Sequence, residues 1–109
     1  FDLGERTSAY PGTLSAGERD RLNVARALAF AQAAAGRRVV LVMDEPLVHL
    51  DGALADACWA AVREGVRAAG ASLIFSTHQP EVALREAGHA VCLDAGRVLA
   101  SGPTDELYW

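Results

Sequence analysis

The sequence contains no lysine; all ten of its basic residues are arginine. That absence excludes the phosphate loop G-x-x-x-x-G-K-[ST], whose backbone cradles phosphates and whose lysine reaches them. Cysteine is sparse. Cys58 and Cys92 lack metal-ligand spacing, fall in an expected helix and an expected strand, and read as buried free thiols of a reducing compartment. Positive charge is short as well. The net charge is −4, which argues against a nucleic-acid surface driven by bulk charge. No apolar run approaches the ~18 residues of a membrane span, and no signal peptide is visible. Internal repeats, low-complexity tracts and linkers are absent. The first residue is Phe1 rather than methionine, so the chain is expected to be a piece of a longer product.

What is present is a globular balance in 109 residues, 51% apolar and 22% charged, enough for one small domain. Its organising stretch is Val39 to Asp51, Val-Val-Leu-Val-Met-Asp-Glu-Pro-Leu-Val-His-Leu-Asp. An unalternating apolar run, Val39 to Met43, stops at two carboxylates and Pro46. It predicts a strand buried on both faces, hence a parallel strand of an α/β sheet. Ligand chemistry collects at the carboxyl ends of such strands, where Asp44 and Glu45 stand.

Around this strand the other elements follow from pattern. Residues 1 to 14 read as irregular, broken by Gly4, Pro11 and Gly12. Ser15 followed three residues later by Glu18 is a capping box, so a helix should start at Ser15 and run to about Ala35, stopped by Gly36. Leu22, Ala25, Leu28 and Ala29 are its expected apolar stripe. A second amphipathic helix is expected over 53–69, with Leu54, Cys58, Val62 and Val66 inward and Gly70 as its end. Ser72 to Ser76 reads as a strand, and Pro80 to Ala87 as a short helix with proline at its first position. Val91 to Asp94 and Arg97 to Ala100 read as a hairpin around Ala95-Gly96. Pro103 to Trp109 is expected to begin a last helix. The chain thus divides into a first-helix region, 1–36, and the remainder, 37–109.

Strand, helix and strand over residues 39 to 76 form a crossover between parallel strands, so both strands should end on one edge of the sheet. Asp44 and Glu45 follow the first strand and His78 the second, with Asp51 in the loop leaving the first. Two acids, a histidine and an aspartate are thereby expected on one rim. His49 and His89 have no such support and read as ordinary surface residues. The start of the first helix adds an anion-binding chemistry, since its free N–H groups carry partial positive charge and Gly17 permits close approach to the backbone.

Taken together these stretches resemble the nucleotide-binding domain of ATP-binding-cassette (ABC) ATPases. Leu14-Ser15-Ala16-Gly17-Glu18 is similar to the LSGGQ signature, and Arg21 and Ala25-Arg26-Ala27-Leu28 continue it. Val39 to Glu45 resembles the Walker B strand with its trailing glutamate, Val48-His49-Leu50-Asp51 the D-loop, and Ser76-Thr77-His78 the switch-histidine loop. The resemblance implies a partial α/β, parallel-sheet core of the P-loop NTPase type, with a signature helix and a C-terminal β-hairpin. It implies that Asp44 holds Mg²⁺ through water, that Glu45 is the general base, and that His78 contacts the γ-phosphate. Ser15 and Gly17 would bind ATP held by an opposite subunit, and Asp51 would couple the two sites.

The sequence departs from the family pattern in places. Ala16 replaces a glycine, Glu18 a glutamine, and Val48 and His49 commoner small residues. The segment between signature helix and Walker B strand is several residues longer than in many relatives. The phosphate loop is absent, so the stretch looks like the C-terminal part of such a domain. The implied function is the ATP-hydrolysing subunit of an ABC transporter, with the isolated chain inactive. Its implied cofactors are ATP and Mg²⁺. Its implied partners are a second nucleotide-binding domain, head-to-tail, and transmembrane subunits; no nucleic acid is expected. Its implied location is cytoplasmic, at the inner face of the cell membrane. A soluble ABC ATPase acting in nucleic-acid or ribosome-linked processes, and a non-catalytic fragment that only associates with an intact partner, are the alternatives.

Overall fold

The computed structural model describes residues 14–34 and 36–107. The expectations for residues 1–13 and for the end of the chain after Leu107 lie outside the described residues. Two compact units emerge, Phe1–Ser76 and Thr77–Trp109.

The first unit contains the strand–helix–strand core. Helix α1 spans Ala16–Ala33, β1 spans Val40–Met43, α2 spans Gly52–Ala69 and β2 spans Ser72–Phe75. β1 and β2 pair in parallel from Val40↔Ser72 to Met43↔Phe75, with α2 between them in the chain. This is the α/β arrangement expected from the unalternating apolar run. Helix α2 starts one residue early, at Gly52, and Gly70 caps its end in the left-handed conformation. Its buried side is Cys58, Trp59 and Val62. Leu54, placed inward by the sequence pattern, is exposed, because the helix turns its first residues to solvent. Trp59 meets Phe75 of β2 with ring centroids 4.9 Å apart and planes tilted by 54°, a geometry worth about 0.5–1.5 kcal/mol beyond area burial.

Two expectations change here. The buried positions of α1 are Val24 and Ala31, with Ala29 exposed, so the apolar stripe is rotated from the one expected. Leu28, a member of the expected stripe, does face α2: it seats against Gly65, where an added Cβ would come within 3.0 Å of its side chain. β1 is also not buried on both faces. Leu41 and Met43 are buried, whereas Val42 is 75% exposed and Ile74 on β2 is 60% exposed. Among the described residues of this unit, nothing covers that face.

In the second unit, α3 (Pro80–Glu86) is followed by an antiparallel hairpin of β3 (His89–Asp94) and β4 (Arg97–Pro103). Both strands are longer than the sequence pattern suggested. The hairpin turns at Ala95 and Gly96, with φ of 48° and 75°, the pair of left-handed residues that suits a two-residue turn. The register slips between Cys92 and Leu93, where Leu99 is the extra residue of a bulge. In place of the expected last helix, the described residues end in a 3₁₀ turn, Thr104–Glu106. Buried Thr104 anchors this turn: its hydroxyl donates to Ala87 O at 2.6 Å and its N–H to Gly88 O at 3.2 Å, and Leu107 leaves the turn in extended backbone.

Both cysteines are free thiols. Cys58 is buried, but Cys92, in the hairpin, is only half-buried, contrary to expectation. Desolvation by burial pushes the Cys58 thiol above its ordinary value, against an opposing pull from Arg21. Among the described residues no helix is long and apolar enough to cross a membrane.

Candidate functional site

The end of the parallel pair is closed by one hydroxyl. Backbone pairing continues past the strands through Ser76 N–H, which donates to Met43 O at 3.1 Å. The Ser76 hydroxyl then donates to Asp44 Oδ1 at 2.6 Å and accepts from Glu45 N–H at 2.8 Å. In the sequence Ser76 reads as the end of a strand and the start of the switch-like Ser76-Thr77-His78 stretch, with no role of its own. The signal that marks it is its register, one step beyond Met43↔Phe75 and so beside Asp44.

Asp44 and Glu45 diverge, though not by strand pleating as adjacency suggests. The strand ends at Met43, and Glu45 has φ of 46°. Leu47 follows with φ of 62°. Left-handed backbone at a residue with a side chain costs on the order of 1–3 kcal/mol and persists only where its surroundings enforce it. Here Ser76 holds the Glu45 N–H, the Leu47 side chain is buried, and Leu50 N–H donates to Leu47 O at 3.1 Å. The turn leaves Asp44 exposed and Glu45 half-buried.

The far side of this loop is fastened to α1. His49 N–H donates to Asp20 Oδ2 at 2.8 Å, and His49 Nδ1 lies 3.1 Å from the same oxygen. Leu50 covers Gly17 so closely that a Cβ there would come within 2.7 Å of Leu50 Cδ2. His49, expected to be an ordinary surface residue, is instead a link between loop and helix. His89 is an exposed position of β3. Asp51 precedes α2 with an extended backbone and makes no side-chain cap to it, so its carboxylate is not consumed by the helix it adjoins.

At the start of α1 the expected capping box is present. Glu18 N–H donates to Ser15 Oγ, and Ser15 N–H donates to Glu18 Oε1, each at 3.1 Å. Glu18 thus points back to the helix start. The N–H groups of Ala16 and Gly17 have no acceptor inside a helix, which suits them to a phosphate. Asp44, Glu45, Asp20 and Asn23 line a cleft of about 240 Å³ beside β1.

His78 belongs to the second unit. It is exposed and stands in a turn where Gln79 N–H donates to Thr77 Oγ1 at 3.0 Å, ahead of Pro80 at the start of α3.

Among the described residues, no group of three His, Cys, Asp or Glu side chains is placed to hold a metal unaided. Magnesium does not need one, since it is commonly held by one or two carboxylates with water and substrate phosphates. Asp44, exposed at a strand end and oriented by Ser76, fits that donor set.

No protein-family model matches the chain. Curated relatives do. The chain is 36% identical over 106 residues to the phosphate import ATP-binding protein PstB of Aeropyrum pernix, covering 97% of this chain and 40% of the relative. It is 39% identical over 107 residues to the thiamine import ATP-binding protein ThiQ of Mesorhizobium japonicum, with the same shares, 97% and 40%. It is 32% identical over 106 residues to the methionine import ATP-binding protein MetN of Pasteurella multocida, covering 97% of this chain and 29% of the relative. The chain therefore spans less than half the length of these relatives. The similarity covers nearly the whole chain, and over that span the chain belongs to the ABC ATPases, as part of a nucleotide-binding domain.

Proposed function

We propose that this chain supplies the signature, metal-binding, base and switch residues of the ATP-hydrolysing subunit of an ABC transporter. The observation that carries the proposal is the Ser76 hydroxyl joining Asp44 to the Glu45 backbone at the end of a parallel pair. It separates two adjacent acids into different environments, as phosphoryl transfer requires of a metal ligand and a base.

In this reading Asp44 holds Mg²⁺, which when bound neutralises charge on the transferring phosphate. Glu45 takes the proton of the attacking water. Its half-buried setting limits competing solvent. His78, carried over from the resemblance, contacts the γ-phosphate. Ser15 and the first N–H groups of α1 bind the γ-phosphate of ATP cradled by a second, head-to-tail domain, and Gly17 permits the approach. Asp51 reaches across that dimer. The relatives are named as import proteins, which supports work beside transmembrane subunits at the inner membrane face over a soluble role. Their named cargoes differ, phosphate, thiamine and methionine, so cargo choice is assigned to other subunits.

Glu45→Gln in a complete subunit tests the proposal. It keeps shape while removing the base, so ATP affinity should persist, turnover should fall by about 10²–10⁴, and an ATP-bound dimer should accumulate on size exclusion with Mg-ATP. Asp44→Asn should instead weaken Mg²⁺-dependent binding. Near-normal turnover in Glu45→Gln would remove Glu45 from the role of base. Loss of nucleotide binding in that variant would exchange the two acids' roles.

A further inference from the structure

The loop between Asp44 and Asp51 is held in an unfavourable backbone by contacts at both ends. Ser76 secures its beginning. At its far end the Asp20 side chain, 14% exposed, accepts from the His49 backbone and faces the His49 imidazole at one oxygen. Asp20 is three residues after Gly17 on α1, and residues at that spacing share a helix face. It is the face that Leu50 and His49 cover. Two contacts, one apolar and one charge-assisted, therefore bind the loop to the same turn of helix.

We propose that Asp20 is a positioning residue for the ATPase reaction, fastening the 46–51 loop to the first turns of α1 so that loop and helix start move as one body. The proposal rests on the reading of the chain as an ABC ATPase segment. In that reading the loop carries Asp51 toward one site and the helix start carries Ser15 and Gly17 to the other. A rigid join makes closure at one felt at the other. Two features identify Asp20 as the join. Leu47 and Glu45 both have positive φ, so the loop relaxes when released. The backbone N–H of His49 also remains a donor whatever the side chain, so Asp20, not His49, is the indispensable partner.

Asp20→Ala, Asp20→Asn and His49→Ala in a complete nucleotide-binding domain carrying this segment test the proposal by two readouts. The first is amide hydrogen exchange without nucleotide. A charge-assisted hydrogen bond corresponds to about tenfold or more in an equilibrium, so exchange at residues 48–50 should accelerate by about tenfold in Asp20→Ala, with Val62 in α2 unchanged. The second is steady-state kinetics. In Asp20→Ala, kcat should fall by a similar factor while KM for ATP stays within about twofold, the pattern of a lost transition-state arrangement. Asp20→Asn keeps an oxygen acceptor for His49 N–H and should recover most of both. His49→Ala keeps that bond and should lie between wild type and Asp20→Ala. Unchanged exchange or unchanged kcat in Asp20→Ala overturns the proposal, as does an Asp20→Asn no better than alanine. A wild-type domain without ATPase activity defeats the functional reading instead, and the exchange readout still decides whether Asp20 fastens the loop.

Discussion

The Ser76 hydroxyl donates to Asp44 Oδ1 at 2.6 Å across the end of the parallel pair. The Ser76 hydroxyl oxygen also accepts from Glu45 N–H, so one side chain fixes the orientation of one acid and the backbone of the next. Partners of this kind behind a metal ligand typically govern affinity by about 10–100-fold. In a complete subunit, Ser76→Ala should raise the Mg²⁺ concentration for half-maximal hydrolysis by about tenfold or more, and Ser76→Thr, which keeps the hydroxyl, should restore it. A magnesium titration of ATPase rate measures this. An unchanged midpoint in Ser76→Ala would mean that Asp44 needs no orienting partner.

The open face of the sheet makes a different prediction. Val40, Val42 and Ile74 project from adjacent parallel strands and are all exposed. A contiguous apolar face of this kind drives association. Residues 1–109 alone should bind a hydrophobic dye, self-associate at micromolar concentration and hydrolyse no ATP, since the chain has no phosphate-loop lysine. Threonine at Val42 and Ile74 should reduce the association while leaving helix content unchanged by circular dichroism. Saturable ATP hydrolysis by the chain alone would contradict the assignment of the missing cradle.

Local chemistry was the legible part of this sequence. The Ser15–Glu18 capping box, the Gly70 cap and the Ala95-Gly96 turn each depend on near neighbours, and each forms as the pattern says; the apolar run of β1 forms its strand but is buried on one face only. What was not legible depends on partners distant in sequence. Ser76 is a site residue only because register sets it beside Asp44, 32 residues earlier. His49 looks like a surface histidine until α1 brings Asp20 to it from 29 residues away. The rotation of α1 was hidden for the same reason. An alanine-rich helix offers several apolar stripes of similar strength, and only tertiary packing selects Val24 and Ala31 among them. Positive φ at Glu45 and Leu47 has no sequence signal at all, because neither residue type favours it.

The two thiols should separate cleanly. Burial pushes Cys58 above its ordinary value of 9.0, so the folded chain keeps that proton where the unfolded chain has lost it. Stability from this source is intact below about pH 9 and declines as pH rises through the window above it. At neutral pH a disulfide-forming thiol reagent should modify half-buried Cys92 readily and Cys58 only at the rate of unfolding. Mass spectrometry of the digested product assigns the site. Equal labelling of both thiols in the folded chain would contradict the burial of Cys58.

Gly17 has two possible duties, and the structure supplies the means to separate them. A Cβ at this position would come within 2.7 Å of Leu50 Cδ2, so any side chain displaces the Leu50 side chain before a phosphate is involved. Gly17→Asp alone is therefore ambiguous between jamming Leu50 and repelling an anion. Leu50→Ala removes the obstacle, and because Leu50 is only half-buried its truncation should spare the fold. In a complete subunit, Gly17→Ala should reduce ATP turnover modestly and Leu50→Ala should relieve that loss. Gly17→Asp should abolish turnover, and Leu50→Ala should not relieve it, because the carboxylate still faces the N–H groups meant for the phosphate. ATP should bind its own cradle in every variant, while the dimer that forms with Mg-ATP on a Glu45→Gln background should be lost only with aspartate. If Leu50→Ala rescued alanine and aspartate alike, Gly17 would be no more than a seat for Leu50, and the start of α1 would not be a phosphate site.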